Sequence, residues 1–213
     1  SDGGLFAFGD AKYFGSIPGL GLLPAGSGGS GKHLNAPIVG MVPTPSGGGY
    51  FMVASDGGVF AFGDAQYEGS CPGIGGCSGS AVGVAPDASG SGYWLVTSTG
   101  HVYNFGDAPN LGQPGQQSSA ITSIVRTTDG GGYWVLDANG GVFNFGDAPN
   151  LGSLPINTAG GLDPAATIFT TSDGQGYWVA TAVGKVYDFG DAPSDGDISG
   201  KHLNGSIIAA TGY

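Results

Sequence analysis

The chain has few charged side chains, and positively charged ones are the scarcest. Only 5 Lys and Arg residues stand against 16 Asp and Glu residues among 213, giving a formal net charge of −11. Nucleic acid binding depends on Lys and Arg contacts with phosphates, so we expect no nucleic acid partner. No apolar run approaches the length of a membrane-spanning helix, so we expect no membrane insertion either.

Motifs that carry chemistry are missing as well. The chain contains no Gly-x-Ser-x-Gly elbow, no His-Glu-x-x-His helix and no phosphate-binding loop. The segments predicted below as inner strands contain no Asp or Glu, whereas a glycosidase needs two carboxylates facing each other across the scissile bond. The sequence therefore predicts a protein that is not an enzyme and has no cofactor and no metal.

Cysteine is limited to Cys71 and Cys77, which lie in the segment Cys-Pro-Gly-Ile-Gly-Gly-Cys. We expect these two residues to form a disulfide, since a metal site would need further thiols or adjacent histidines. Closing so short a loop stabilises a fold by roughly 2 kcal/mol in the chain-entropy model. A disulfide also predicts an oxidising compartment, so the protein is expected to be secreted, extracellular or at the cell surface.

What the chain does contain is a repeat. The tetrapeptide Phe-Gly-Asp-Ala occurs five times at intervals of 40 to 54 residues, and its aspartates are Asp10, Asp64, Asp107, Asp147 and Asp191. A short motif recurring at this period indicates one structural unit copied five times. Because the repeats fill the chain from end to end, we expect residues 1–213 to form a single domain.

Each repeat predicts a small antiparallel meander. In the second repeat, strand a covers Ile38 to Val42, strand b covers Tyr50 to Ala54, strand c covers Val59 to Phe62, and a short strand d lies near Tyr67. The runs are rich in β-branched and aromatic residues and are bounded by Asp-Gly, Asn-Gly and Gly-Gly pairs, which favour tight hairpins. Four-stranded units at this spacing predict an all-β, five-bladed β-propeller. An open β-solenoid is the alternative.

The two ends of the chain predict how the ring would close. Leu5 to Phe8 match strand c, and Ile207 to Ala210 match strand a, so the N- and C-terminal segments would share the fifth blade. The strand b between them, expected after Gly212-Tyr213, is missing. Either the chain is part of a longer protein, or a neighbouring molecule supplies the strand, because an unpaired edge is a template for pairing. The second alternative predicts self-association through the open fifth blade.

Three phrases carry a resemblance to a known repeat: Gly-Tyr-Trp-Leu-Val, Ser-Asp-Gly-Gly-Val-Phe-Ala-Phe-Gly-Asp-Ala and Leu-Asn-Ala-Pro-Ile-Val-Gly-Met. They resemble a repeat of secreted bacterial proteins, which often accompanies cell-wall hydrolase, peptidase or other extracellular domains. The resemblance covers the whole chain. It implies an extracellular, propeller-like array and no catalytic residues. Five-bladed propellers also include lectins and glycoside hydrolases, an analogy at the level of fold.

Two repeated features have both a functional and a structural interpretation. The motif aspartates could bind calcium or sugar, but we expect them to accept hydrogen bonds from backbone N–H groups of the turn after strand c. The aromatic residues of strand b could stack on sugars, but we expect them to pack between neighbouring blades. These residues are Phe51, Trp94, Trp134 and Trp178.

A polar tetrapeptide supplies the candidate binding residues. Lys-His-Leu-Asn occurs before strand a in two repeats only, and its polar members are Lys32, His33, Asn35, Lys201, His202 and Asn204. It either marks a ligand site or records two recently copied units.

We therefore expect a non-catalytic binding or adhesion module, with a glycan or cell-wall polymer as its partner, since repeated weak sites gain avidity on repetitive polymers. The alternatives are a structural subunit or spacer of an extracellular assembly, such as a filament or surface layer, and a glycoside hydrolase.

Overall fold

The computed structural model describes residues 2–28, 30–115, 118–154 and 163–211, and within them the chain is all-β. It contains four three-stranded antiparallel sheets, each with its second strand in the middle. The strands are β1 Ile38–Pro43, β2 Gly49–Ala54, β3 Val59–Gly63, β4 Ala81–Pro86, β5 Gly92–Thr97, β6 Val102–Gly106, β7 Ile121–Arg126, β8 Gly132–Asp137, β9 Val142–Gly146, β10 Ala165–Thr170, β11 Gly176–Thr181 and β12 Val186–Gly190. The predicted strands a, b and c are thus confirmed in four repeats.

The turn between strands b and c binds the crossover segment, which is the stretch of chain that connects each sheet to the next. In the first sheet Gly57 has a φ of 79°, and its N–H donates to the Ala54 carbonyl at 2.8 Å. A Cβ atom at this position would collide with the Cys71 side chain, so only glycine fits. The Cys71 N–H donates to the Gly57 carbonyl at 3.1 Å, which ties the crossover to the turn.

The middle strands are buried on both faces, as their unbroken apolar runs predict. All six residues of β2, β5 and β8 are buried, and in β11 only Trp178 is partly exposed. The apolar residues at successive positions of strand c predict burial on both faces as well, and this prediction is wrong because Asn104, Asn144 and Asp188 are exposed. Strand c is the outer strand of its sheet, so one of its faces meets solvent.

The predicted strand d near Tyr67 is wrong, since residues 64–70 contain no strand. A tyrosine from the next sheet holds this segment instead. The Tyr93 hydroxyl accepts a hydrogen bond from the Glu68 N–H at 3.2 Å and donates one to the Gly69 carbonyl. These bonds occupy backbone groups that a strand d would have paired. Tyrosine hydroxyls donate to glycine carbonyls in the same way at three further places: Tyr50 to Gly15, Tyr133 to Gly112 and Tyr177 to Gly152.

The chain divides into two compact units. The first consists of Ser1–Thr97 and Val102–Pro109 and contains the sheets β1–β3 and β4–β6. The second consists of Ser98–His101 and Asn110–Tyr213 and contains the sheets β7–β9 and β10–β12. Within each unit an aromatic residue of one strand b contacts the tyrosine of the next: Phe51 with Tyr93 at 5.0 Å, and Trp134 with Tyr177 at 5.6 Å. A single domain stays a prediction.

The fifth repeat differs from the other four. Leu5 to Phe8 and Ile207 to Ala210, which were expected to supply its strands c and a, form no strand. The predicted position of Gly212-Tyr213 lies outside the described residues. None of the four sheets closes on itself, so a ring with a shared fifth blade stays a prediction.

The predicted disulfide is confirmed. Cys71 is bonded to Cys77, with 5.1 Å between their Cα atoms. Cys71 has no exposed surface and packs in the apolar core between the first two sheets, whereas Cys77 lies at the margin of that core. No helix within the described ranges has the length and apolar character that crossing a membrane requires.

Candidate functional site

The motif aspartate of the first sheet bonds to side chains of a second turn. The Asp64 carboxylate accepts hydrogen bonds from the hydroxyls of Thr44, at 2.9 Å, and Ser46, both in the turn between strands a and b. These two hydroxyls hold the pKa of Asp64 below its ordinary value, the Ser46 bond contributing most. The carboxylate thus joins two turns of one sheet through hydroxyl groups, and a backbone N–H of Asp64 makes a smaller contribution to the lowered pKa, in line with the expected turn role.

The equivalent position in the second sheet has a different electrostatic character. The turn residue that matches Thr44 is Asp87, so Asp107 faces a carboxyl group instead of a hydroxyl. A hydrogen bond to Asp87 raises the pKa of Asp107, and desolvation and the charge of Asp87 add to the effect. The Ser89 hydroxyl lies 3.4 Å from both Asp107 oxygens and 3.0 to 3.1 Å from those of Asp87.

This contrast gives opposite expectations for two matched substitutions. Asp64→Asn should destabilise the protein at pH 7, because the lowered pKa means that ionised Asp64 favours the folded state. That contribution is present above the unfolded pKa of about 3.9 and is lost as the pH falls through the folded value. Asp107→Asn should leave stability unchanged or raise it at pH 7, because its raised pKa means that folding favours the protonated form, which an amide resembles.

Urea unfolding at pH 7 and pH 3 checks this pair. At pH 7 the midpoint should fall for Asp64→Asn and hold or rise for Asp107→Asn, and at pH 3 the two variants should converge. Equal losses for both variants at pH 7 would show that the Asp87 carboxyl does not oppose ionisation of Asp107.

The aspartates were also candidates for binding a cation. Within residues 2–28, 30–115, 118–154 and 163–211, no group of three or more His, Cys, Asp or Glu side chains is placed to hold a metal ion. Asp129 and Asp173, in the a–b turns of the third and fourth sheets, both have a lowered pKa, caused mainly by the Thr127 hydroxyl for Asp129 and by the Gln175 N–H for Asp173. The carboxylates thus take part in turn hydrogen bonding.

The strand b aromatic residues pack in the core, as expected, in three of the four sheets. Phe51, Trp94 and Trp134 have no exposed surface. The Trp94 indole N–H donates to the Pro109 carbonyl at 2.7 Å, and the Trp134 indole donates to the Pro149 carbonyl at 2.8 Å. Each buried indole therefore has a partner for its one polar atom.

Trp178 keeps this bond but not the burial. Its indole donates to the Pro193 carbonyl at 2.8 Å, yet the side chain is only half-buried. Its ring stacks on Phe169 with 5.3 Å between centroids and 22° between planes. Together with Asp188 and Asp195 these rings line a cleft of about 210 Å³, which we call the aromatic cleft.

The Lys-His-Leu-Asn segment of the first unit lines a cavity of about 300 Å³. We call it the crossover cavity and define it by His33, Asn35, Asp56 and Phe60. The Leu34 side chain is buried, and its N–H donates to the Leu23 carbonyl at 2.9 Å, which fixes the flanking His33 and Asn35 beside the b–c turn. Asp56 and Phe60 come from that turn and from β3, and Ser70 and Pro72 of the next crossover complete the lining.

His33 is held in place by its neighbours. Its Nδ1 lies 3.2 Å from the Ser27 hydroxyl and 3.3 Å from the Pro24 carbonyl. Lys32 is exposed, and its carbonyl accepts from the Leu23 N–H at 2.8 Å. The structure thus brings together His33 and Asn35 of the predicted residues, whereas Lys32 does not line the crossover cavity.

The second copy of the tetrapeptide is arranged differently. Lys201, His202 and Asn204 are all exposed, and Leu203 is half-buried beside Gly184 of a b–c turn. Leucine therefore anchors the segment in both copies, which supports a structural reason for the repeat. His33 and Asn35 of the first copy line the crossover cavity.

Two features of the site escaped prediction from the sequence. Asp56 stands where the other three sheets have Thr99, Asn139 and Val183, but a single acidic residue in a hairpin does not indicate that it borders a cavity. The crossover glycines could have been found, because Gly15, Gly69, Gly112 and Gly152 each stand at the same distance from the motif aspartate. A Cβ atom on Gly69 would lie 2.7 Å from the Phe105 ring, which explains that constant position.

Comparison with known proteins gives no family assignment. No protein-family model matches the chain, and no curated protein does. The resemblance to a secreted bacterial repeat therefore stays an interpretation of the motif phrases.

Proposed function

We propose that this protein is an extracellular, non-catalytic binding module whose ligand is a cell-surface or cell-wall carbohydrate. The observation that carries the proposal is the crossover cavity. It combines hydrogen-bonding side chains, His33, Asn35 and Asp56, with the apolar surfaces of Phe60 and Pro72. Sugars present hydroxyl groups at their edges and C–H groups on their faces, so they need both kinds of surface in one small site.

The size and charge of the site narrow the ligand class. About 300 Å³ is at the lower end of the range for small-molecule sites, which suits one sugar residue of a polymer rather than a long buried segment. A net charge of −11 disfavours sulfated or phosphorylated polymers, since the field of the protein repels them. The proposed ligand is therefore a neutral or amino sugar.

Two further lines support the extracellular module. The Cys71–Cys77 disulfide is compatible with an oxidising compartment. Four copies of the same antiparallel sheet, with a fifth copy of the motif, are compatible with a five-bladed propeller. We include that ring in the proposal because it would present several b–c turns to one polymer.

The test is binding of immobilised glycans by the wild type and two matched variants. Asn35→Ala, which removes an amide from the crossover cavity, should weaken binding about tenfold, since a lost hydrogen bond to a ligand costs about 1–2 kcal/mol. Asn204→Ala changes the same residue of the second tetrapeptide, which does not line the crossover cavity, and should bind like the wild type. Equal weakening by both substitutions, or no glycan bound by the wild type, would contradict the proposal.

The same samples also test for glycoside hydrolase activity, because release of a product from a bound glycan would reveal hydrolysis.

The main alternative, a structural subunit, rests on a different observation: Phe6, Phe8 and Ile208 are 81%, 82% and 86% exposed. Such large apolar side chains at the surface favour contact with another chain. Sedimentation velocity distinguishes the two, because an assembly subunit sediments faster as concentration rises and a monomeric binding module does not.

A further inference from the structure

The chain contains two asparagine–glycine pairs, Asn139-Gly140 and Asn204-Gly205. Such a pair is chemically labile because glycine has no Cβ atom to obstruct its own backbone nitrogen. That nitrogen attacks the side-chain carbonyl carbon of the preceding asparagine once it has lost its proton. A hydrogen bond from the glycine N–H to a fixed acceptor opposes the attack, so the surroundings of the two glycines decide which asparagine reacts.

The first pair is held in a turn. Asn139 and Gly140 lie in the b–c turn between β8 and β9, where the Gly140 N–H donates to the Asp137 carbonyl at 2.9 Å. The Asn139 N–H donates to the Asp137 carboxylate at 2.9 Å, and the Gly140 carbonyl accepts from the Leu154 N–H at 2.9 Å. Asn139 is exposed, but Gly140 is buried. The nitrogen that would attack the Asn139 side chain is therefore both bonded and enclosed.

The second pair has none of these restraints. Lys201 and Ile207 donate the flanking backbone hydrogen bonds, and residues 202–206 between them make none with any residue that the structure describes. Asn204 and Gly205 are both exposed. Apart from its chain neighbours, no atom would lie within 4 Å of a Cβ atom placed on Gly205. The Gly205 nitrogen is therefore free to approach the Asn204 side chain.

The same position in the first tetrapeptide shows that this openness belongs to the repeat. Asn35 corresponds to Asn204 and precedes the complete sheet β1–β3, yet it is exposed as well. The Ala36 N–H also makes no hydrogen bond within the described ranges. What differs is the next residue, which is alanine after Asn35 and glycine after Asn204. The methyl group of Ala36 hinders attack by its nitrogen, so the second copy alone combines an open backbone with a reactive pair.

We propose that Asn204 is a site of spontaneous deamidation in the folded protein, with water as the co-reactant. The Gly205 nitrogen forms a bond to Cγ of Asn204 while the Cγ–Nδ2 bond breaks, and ammonia leaves with the proton of the Gly205 N–H. The resulting five-membered succinimide takes up one water molecule, which opens the ring at either carbonyl and gives aspartate or isoaspartate at position 204. No oxidant or reductant takes part, and the proposal is independent of carbohydrate binding at the crossover cavity.

The product changes the charge and the backbone of this segment. A carboxylate replaces a neutral amide close in sequence to Lys201, one of only 5 Lys and Arg residues. In isoaspartate the main chain also runs through the Cβ atom, which lengthens the backbone by one carbon. Because residues 202–206 make no backbone hydrogen bond with the described residues, the fold loses none when this happens. The modified chain should therefore stay folded, and the product should accumulate.

The experiment incubates the intact chain in mildly alkaline water enriched in heavy oxygen, which labels each newly formed carboxyl group. Trypsin cleavage in ordinary water, after Arg126 and Lys201, then places the two asparagine–glycine pairs and Asn35 on separate peptides for mass spectrometry. In the folded protein Asn204 should take up label at least about tenfold faster than Asn139, since reaction at Asn139 requires the turn to open. In the denatured chain the two rates should converge, because both asparagines precede glycine.

Two matched variants exchange the residue that follows the asparagine. Gly205→Ala should slow the labelling of Asn204 severalfold, because it introduces the methyl group that the first copy carries. Ala36→Gly should give Asn35 a rate close to that of Asn204 in the wild type. Circular dichroism spectra that match the wild type show that each variant is folded.

Three results would overturn the proposal. The first is equal labelling of Asn139 and Asn204 in the folded protein, which would show that the dipeptide sequence alone sets the rate. The second is a folded protein in which Asn204 stays unlabelled while the denatured chain becomes labelled there. The third is an unchanged rate at Asn204 in the Gly205→Ala variant, which would show that water hydrolyses the amide without a succinimide.

Discussion

Trp134→Ala is expected to lower the free energy of unfolding by about 3–5 kcal/mol, the usual cost of removing a buried aromatic side chain. The substitution opens a cavity beside Tyr177 and leaves the Pro149 carbonyl without its indole donor. Trp178→Ala removes the same side chain from the same position of the next sheet, where it is half-buried, so its cost should be clearly smaller. Urea unfolding followed by circular dichroism measures both.

The comparison is informative because the two tryptophans make the same indole bond to a proline carbonyl. The difference in unfolding free energy between the two variants therefore measures how much the contact with the next sheet contributes to stability. Equal destabilisation would show that Trp178 is covered in solution by something that protects it as Tyr177 protects Trp134.

Tyr93→Phe is expected to cost about 1–3 kcal/mol, because it removes only the hydroxyl that holds the Glu68 N–H and the Gly69 carbonyl. Tyr103→Phe is the matched control: its hydroxyl accepts an exposed bond from the Ser78 N–H at 2.8 Å, and the loss of that bond should cost little. Thermal unfolding monitored by circular dichroism distinguishes them. Similar losses in both variants would indicate that the hydroxyl of Tyr93 does not fix the crossover.

The same hydroxyl predicts how stability depends on alkaline pH. Burial raises the pKa of Tyr93, Tyr133 and Tyr177 to about 12. Since folding favours the protonated phenol, the contribution is fully present below the unfolded pKa of about 10 and is lost as the pH rises to about 12. Absorbance titration should show three phenols ionising as the pH approaches about 12, together with the loss of the β-sheet circular dichroism signal.

The sequence predicted those parts of the fold that depend on local chemistry. Apolar runs bounded by glycine turns indicated β1 to β12, and the short Cys71–Cys77 loop indicated the disulfide. Strand d could not be excluded in this way, because the tyrosine that replaces its hydrogen bonds comes from the next sheet, about 25 residues later in the chain for Glu68 and Tyr93. A long-range bond of this kind leaves no mark in the segment that it holds.

The candidate site shows the same limit. The tetrapeptide at residues 32–35 was noticed because it recurs, and its two copies turned out to differ in surroundings. His33 and Asn35 meet Asp56 and Phe60 only because the chain from Leu22 to Ala36 packs beside the b–c turn. Trp178 is likewise a copy of Trp134 in the sequence, which gives no indication that one ring is fully buried and the other partly exposed.

The tyrosine bond also indicates where this protein would tolerate an insertion. The tyrosine bond fixes each crossover up to its glycine. Beyond the glycine the connection to the next strand a varies in length, being shortest at residues 112–121 and longest at residues 15–38. A peptide tag or a whole guest domain inserted after Gly28 would begin in an exposed stretch of the longest connection, and it would leave the buried Ile17 and Leu34 in place. An insertion of the same size between Asp64 and Gly69 would separate the tyrosine from the two backbone groups that it holds.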